Sequence, residues 1–399
     1  MVPRAGNGRR AMAAVTGIGE SPYYRAGRSP YSVRQLASMA VHRAIEDAGL
    51  EPADIDGIVS YHDNQHDAAR LWSWLGLGEL KFSAKAWGGG GNGGGSAVQL
   101  ADAAVRAGYA DNVLVYRAIN QGDEGRYGRY NVGGPYNATG PSATDEAFMV
   151  PFGGAVAVVK NALLIRRFMH EYGVSQEALA EISLTCYEHA QSNPRALMYG
   201  KPLTREMYHA SRWIAEPLHL YDCCQENDGA CAIIVSSGER AVDQRQPPAY
   251  IVATATGMES EGGIGSFNDS AYPNGRLKSV GRQLWARAGV TPDDIDVAQF
   301  YENFTGTTLM AISDIGFCEP GDVEAFVAGG NLRRGGRLPL NTSGGNLAEA
   351  YIHGFELMVE AVRQIRGTST AQVDDVQLSL FVAGPGTPPS SAALLAATA

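Results

Sequence analysis

Residues 48–61 read AGLEPADIDGIVSY, and residues 288–301 read AGVTPDDIDVAQFY. Both copies keep Ala-Gly, a proline, Asp-Ile-Asp and a terminal tyrosine, Tyr61 in the first and Tyr301 in the second, and both follow a helical pattern. A repeat on this scale predicts an α/β chain made of two similar βαβ-containing halves packed on each other. The competing reading is a helix-to-strand connector common to many α/β chains and used here twice. A junction at 244–248 divides the chain into halves 1–244 and 245–399, and 250–256 opens the second half as a strand.

In the first half, 11–18 reads as a strand. Residues 29–48 read as a helix with Ser32 as its cap, Leu36, Met39, Ala40, Ala44 and Ile45 on its apolar face, and Gly49 at its end. The run WGGGGNGGGS (87–96) precedes a helix at 97–107, but no GK[ST] follows it, so the phosphate-cradling pattern is incomplete. A strand at 113–116 leads into residues 122–144, which lack periodicity and read as a long loop. Arg126 and Arg129 within it are candidate phosphate contacts, and equally well solvated loop residues. Helices at 161–172 and 176–192 and an excursion at 193–220 complete an insertion of about 120–222 before LYDCCQENDGACAIIVSS. His62, Asp63, His66 and Asp67 have a spacing that suits a metal on one helix face, yet no third ligand has a fixed place, so no metal site is assigned.

Composition excludes several function classes. A formal charge of −10 argues against a nucleic-acid partner, whose phosphates require a basic footprint. No apolar run approaches the length of a membrane span. Five cysteines without paired spacing, and no secretory leader, point to a reducing cytoplasm.

The second half carries the densest polar signal. Residues 297–300 read as a buried strand ending at Tyr301, followed by a helix that starts within 303–307 and continues through Leu309, Met310, Ile312 and Ile315. Further on, LPLNTSGGNLAEAYIHG reads as a turn leading into a helix over 347–366, whose first turn can offer N–H groups to an anion or oxyanion. Polar clusters at strand ends are where α/β proteins keep their chemistry, so Tyr301 and Tyr351 are expected to face one site.

The order strand, YENF, helix, NTSGGNLAEAYIHG, helix, and a strand ending in LFVAGPG resembles the C-terminal half of a thiolase of the sterol-carrier-protein, lipid-transfer-protein-like branch. There the motifs are HDxF or NEAF, GG followed by GHP, and CxGxG. Here Tyr301 takes the place of the first His or Asn, Tyr351 that of the GHP histidine, and Val382 falls near the last cysteine. The nucleophilic cysteine of the first half matches about Gly91, and NDGA at 227–230 matches SDGA. This pattern of loss is similar to the bacterial steroid side-chain-cleaving aldolases. The resemblance implies a thiolase fold, two halves in a five-layer αβαβα domain with a loop insertion. It also implies a homodimer bound to an OB-fold acyl-CoA-binding protein of hydratase C-terminal type, and retro-aldol cleavage of a 17-hydroxy C22 steroid CoA thioester to a 17-ketone and propionyl-CoA. No cofactor is implied, since CoA belongs to the substrate.

The residues themselves permit this chemistry better than acyl transfer. Neither thiolase cysteine is matched, and Cys223 and Cys224 precede a buried strand, while Cys186, Cys231 and Cys318 have less claim. A retro-aldol step needs a base for the β-hydroxyl, an acid for the enolate carbon and donors for the thioester oxygen. Tyr301 and Tyr351 are expected to serve as base and acid in an order the sequence leaves open, although a phenol of pKa about 10 needs tuning by hydrogen bonds. Glu302, Asn303 and His353 are candidate orienters, and backbone N–H groups near Gly91 and Gly384 candidate oxyanion donors. A glycine at 91 is also expected to leave room for bulky substrate, the alternative being that the glycines serve close backbone packing. The remaining alternatives are a thiolase with an unrecognised cysteine and a non-catalytic lipid or acyl-CoA carrier.

Overall fold

The computed structural model describes residues 12–61, 68–87, 90–124, 150–154, 156–259, 272–386 and 389–399. The candidate metal cluster at 62–67 and the loop arginines Arg126 and Arg129 lie outside them.

Twelve strands are assigned among these residues: β1 (Ala13–Glu20), β2 (Tyr24–Arg25), β3 (Gly57–Tyr61), β4 (Phe82–Ala86), β5 (Asn112–Asn120), β6 (Trp213–Ala215), β7 (Leu218–His219), β8 (Asn227–Ser237), β9 (Ala249–Gly257), β10 (Val297–Phe300), β11 (Leu378–Ala383) and β12 (Ser390–Ala396). The main sheet runs β10-β11-β12-β9-β1-β8-β5-β3-β4. It consists of two half-sheets joined only where Ala14 and Val15 of β1 pair with Tyr250 and Ala249 of β9.

The halves share one topology. In the first, β3 lies parallel to β5, β5 antiparallel to β8, and β8 antiparallel to β1. In the second, β10 lies parallel to β11, β11 antiparallel to β12, and β12 antiparallel to β9. Strand β4, parallel to β3, has its counterpart in a single parallel bridge between Ala298 and Leu340. The repeated sequence folds identically in both places. Pro52–Asp54 and Pro292–Asp294 each form one 3-10 turn, whose last aspartate accepts a hydrogen bond from the backbone N of Glu51 or Thr291 at 2.8 Å. The next aspartate, Asp56 or Asp296, accepts backbone N–H groups from the start of the parallel neighbour: Asp111 and Asn112 in one half, Gln377 and Leu378 in the other. Duplication, not a shared connector, accounts for the repeat.

Helices complete five layers. Val33–Ala48, capped reciprocally by Ser32 and Gln35, covers the outer face of the first half-sheet. Gly94–Ala107 and Phe355–Arg366 lie between the half-sheets in a continuous apolar core. Lys278–Ala288 and the wholly buried Thr305–Ile315 cover the outer face of the second, with insertion helices Ala157–Tyr172 and Gln176–Ala190 packed beyond them. The buried polar side chains of Thr305–Ile315 find partners inside the protein: Thr305 Oγ1 donates to Asp222, and Thr307, Thr308 and Ser313 donate to backbone carbonyls of their own helix or its cap.

One expected element is broken. The sequence predicts a continuous helix over 347–366, but the chain makes a short turn at Gly345–Ala348, leaves helical geometry, and resumes at Phe355–Arg366. His353 and Gly354 are left-handed, with φ of 51° and 77°. The interruption is sustained by tertiary hydrogen bonds: Asn227 Oδ1 accepts from Tyr351 N at 2.7 Å, Glu356 from Ile352 N at 3.0 Å, and the carbonyls of Ala348 and Glu349 accept from Met198 and Leu197.

Candidate active site

The break brings Tyr351 against Tyr301. Tyr301 leaves the end of β10 with its backbone N bonded to Val382 O at 2.9 Å, and its hydroxyl lies 2.7 Å from the Tyr351 hydroxyl. The rings are tilted by 48° and both residues are buried, 4% and 7% exposed. Two phenols at this separation share one hydrogen bond, one donating and the other accepting. The expected pairing of the two tyrosines at one place is present.

The glycines on either side of Tyr301 are there because its ring fills their space. A Cβ on Gly91 would stand 2.1 Å from Tyr301 Cε2, and one on Gly354 would stand 2.4 Å from Cδ2. This corrects the expectation that Gly91 leaves room for bulky substrate, because the tyrosine itself occupies that room. Three further glycines of the run serve close packing: Gly93 lies against Tyr61, Gly94 against Phe381, and Gly95 against the backbone of Ala392. Gly384, with φ of 72°, packs on Asn92, since a Cβ there would fall 2.1 Å from Asn92 Cβ. Gly91 and Gly384 thus lie on adjoining backbone beside Tyr301.

His353 stands edge-on to Tyr351, with ring centroids 5.3 Å apart at 84°. Arg117, 1% exposed, directs Nε and Nη2 at His353 Nδ1 from 3.1 and 2.9 Å. A guanidinium only donates, so Nδ1 accepts and the ring proton sits on Nε2. Tyr61, the counterpart of Tyr301 in the first repeat, donates from its hydroxyl to His353 O at 3.1 Å.

Glu302 and Asn303 act on backbone. Asn303 Oδ1 accepts from Phe304 N and Thr307 Oγ1, both at 3.0 Å, and so ties the loop to the start of the helix that follows. Glu302 is fully buried; its Oε1 accepts from Leu347 N at 3.4 Å in the turn leading to Tyr351, and Oε2 has no hydrogen-bond partner. The turn expected to offer its N–H groups to an external anion therefore offers one to Glu302. A Cβ on Gly345 would stand 1.8 Å from Glu302 Oε1, so only glycine admits the carboxyl there. Burial pushes the Glu302 carboxyl up to about 8, against the hydrogen bonds from the turn that lower it, and so favours its neutral form.

Arg117, Tyr61, Asn227 and Glu356 support the site without having been singled out for it in the sequence. An arginine inside the strand VLVYRAIN was the available signal, since buried arginines are rare unless held by partners. The cysteines are set for structure, not nucleophilic attack: burial pushes the Cys223 thiol up to about 12 and holds those of Cys224 and Cys186 well above the ordinary thiol range.

The fold and the site define a thiolase-type α/β protein with a buried pair of tyrosine hydroxyls in contact. An acetyl-CoA acetyltransferase from Syntrophomonas wolfei shares the fold over 98% of this chain and 100% of its own, with a TM-score of 0.72 at 14% identity. Residues 265–397 match the family described as thiolase C-terminal domain-like. A steroid side-chain-cleaving aldolase from Thermomonospora curvata is 42% identical over 95% of this chain and 96% of its own. The 17-hydroxy-3-oxo-4-pregnene-20-carboxyl-CoA lyase of Mycobacterium tuberculosis is 41% identical over 95% and 97%. The structure of an Ltp2-ChsH2(DUF35) aldolase matches with a TM-score of 0.89 at 40% identity, over 97% of this chain and 98% of that one. The chain belongs to the steroid side-chain-cleaving aldolases of the thiolase superfamily.

Proposed function

We propose that the protein cleaves the side chain of a 17-hydroxy C22 steroid CoA thioester, of the 17-hydroxy-3-oxo-4-pregnene-20-carboxyl-CoA type, into androst-4-ene-3,17-dione and propionyl-CoA. The observation that carries this reading is the 2.7 Å contact between the buried Tyr301 and Tyr351 hydroxyls. One tyrosine removes the proton of the 17-hydroxyl, the bond between C17 and the thioester α-carbon breaks, and the electron pair moves into the thioester enolate. The other tyrosine protonates that carbon. The base reacts as its phenolate and ends as a phenol, the acid starts as a phenol and ends as a phenolate, and one proton transfer across their shared hydrogen bond restores the starting state. The reaction asks for two proton transfers and an oxyanion site, and for no covalent or redox group. Backbone N–H groups at Gly91 and Gly384 are our candidates for the thioester oxygen, and the placement of both on adjoining backbone beside Tyr301 favours them. The raised cysteine pKa values weigh against acyl transfer through a thiolate.

We assign the protein to the cytoplasm as a homodimer with an OB-fold partner. Its five cysteines are free, and no helix among the described residues is long and apolar enough to cross a membrane. β4 ends the main sheet, beside the exposed Trp87 and Tyr109, and an open sheet edge invites pairing. The named complex of the related aldolase with a DUF35 protein motivates the partner. The test is incubation of the purified protein, alone and with its OB-fold partner, with the 17-hydroxy C22 steroid CoA ester. Equimolar propionyl-CoA and 17-ketone are expected; a folded protein that binds the thioester and releases neither would favour the carrier reading.

A further inference from the structure

A polar cavity of about 350 Å³ opens between the end of β1, the helix Val33–Ala48 and the C-terminal part of Phe355–Arg366. It belongs to a different part of the molecule from the tyrosines: these adjoin the Phe355 end of the helix, and Arg366 closes the other end, roughly 15 Å along the axis. Four arginines, Arg43, Arg195, Arg363 and Arg366, line it with two carboxylates, Glu20 and Asp47, and the buried Glu349 and Glu360 stand 3.9 and 4.0 Å from Arg195 and Arg363.

The carboxylates use only part of the donor capacity. Arg363 pairs with Glu20, and Arg366 Nη1 with Asp47 Oδ2 at 2.7 Å. Arg195 Nε stays 3.7 Å from Glu20 and 3.9 Å from Glu349, beyond hydrogen-bond distance. Buried nitrogens with no hydrogen-bond partner remain on three side chains: Nε and Nη2 of Arg195, Nη1 of Arg363, which stands 4.0 Å from Glu360 Oε2, and Nη2 of Arg366. The Arg366 side chain is 2% exposed. A protein keeps buried donors paired, and guanidinium groups gathered around an open space suit an anion with several acceptor oxygens.

We infer that this cavity binds a tetrahedral oxyanion of the phosphate class, either free or as the phosphate monoester of a nucleotide. Titration calorimetry on the full-length protein with inorganic phosphate and, separately, with adenosine 3′,5′-bisphosphate, at constant ionic strength in chloride, tests it. Saturable binding at one site per chain is expected. It should weaken by about tenfold or more in Arg366→Gln, the loss of a charge-assisted hydrogen bond. The same is expected in Arg43→Gln, whose exposed side chain makes it a substitution the fold tolerates. Tighter binding of the bisphosphate assigns the site to a nucleotide tail, and tighter binding of inorganic phosphate to the free anion. Absence of saturable binding by both ligands, or unchanged affinity in both variants, overturns the inference.

Discussion

The ring of Tyr301 stands where a side chain on Gly91 would have to be, with Cε2 2.1 Å from the Cβ position. The glycine turn before the helix Gly94–Ala107 gives its space to an aromatic residue from the other half of the chain.

It follows that Gly91→Ala should harm activity more than stability. The methyl group must displace the Tyr301 ring, and overpacking of this kind costs about 1–3 kcal/mol. Turnover is expected to fall by more than about tenfold, since a displacement of about 1 Å at a reacting group is enough for such a loss. Steady-state kinetics beside a thermal melt checks this; wild-type turnover in Gly91→Ala would mean that Tyr301 need not hold its position.

Asp56 and Asp296 should each contribute to stability through the same backbone contacts, with Asp56 also pairing with Lys81 at 3.1 Å. Each holds two backbone N–H groups at the start of the neighbouring parallel strand. Hydrogen bonds to a charged group contribute about 1.5–3 kcal/mol each, so Asp56→Ala and Asp296→Ala should each destabilise by about 3 kcal/mol or more. Their partners do not overlap, so the effects should add in the double variant. Urea denaturation midpoints measure all three.

How much of this was legible in sequence depended on whether a signal was local. The repeat ending in Tyr61 and Tyr301 announced the duplication, and the tyrosines at two motif positions announced the site. The break at Glu349–Gly354 was marked locally only by Gly354, because LAEAYIHGFELMVEAV otherwise keeps a helical pattern and the bonds that interrupt it come from Asn227, Leu197 and Met198, far away in the chain. Arg117 and His353 are likewise joined only by the fold. The glycines posed a different difficulty: sequence registers a missing side chain but not whether space or a neighbour replaces it.

Glu302 should make stability depend on pH in a definite direction. Its carboxyl rises from about 4.5 to about 8 on folding, so the native state keeps a proton that the unfolded chain releases. The wild type therefore loses stability as pH rises from about 4.5 toward 8, and the loss levels off above that. Glu302→Gln keeps the neutral form and escapes it. Its advantage over wild type should grow by a few kcal/mol between pH 5 and pH 8.5 in denaturant unfolding; a constant difference would show that Glu302 is ionised in the native protein.

Asn227→Ala removes the acceptor for Tyr351 N while leaving both phenols in place. An orphaned buried N–H costs about 1–3 kcal/mol. The Tyr351 segment should loosen, lowering kcat by about tenfold with little effect on KM, and steady-state kinetics at saturating thioester reads the split.

The most direct test of the tyrosine pair is single-turnover release of propionyl-CoA by the wild type, Tyr301→Phe, Tyr351→Phe and the double variant. Each single substitution should slow release by about a hundredfold or more, and the double variant should be scarcely slower than the worse single one, because residues that act as a unit are lost together. Single variants that cleave at wild-type rates would contradict a proton-transferring role, and single effects that multiply in the double variant would contradict the shared pair.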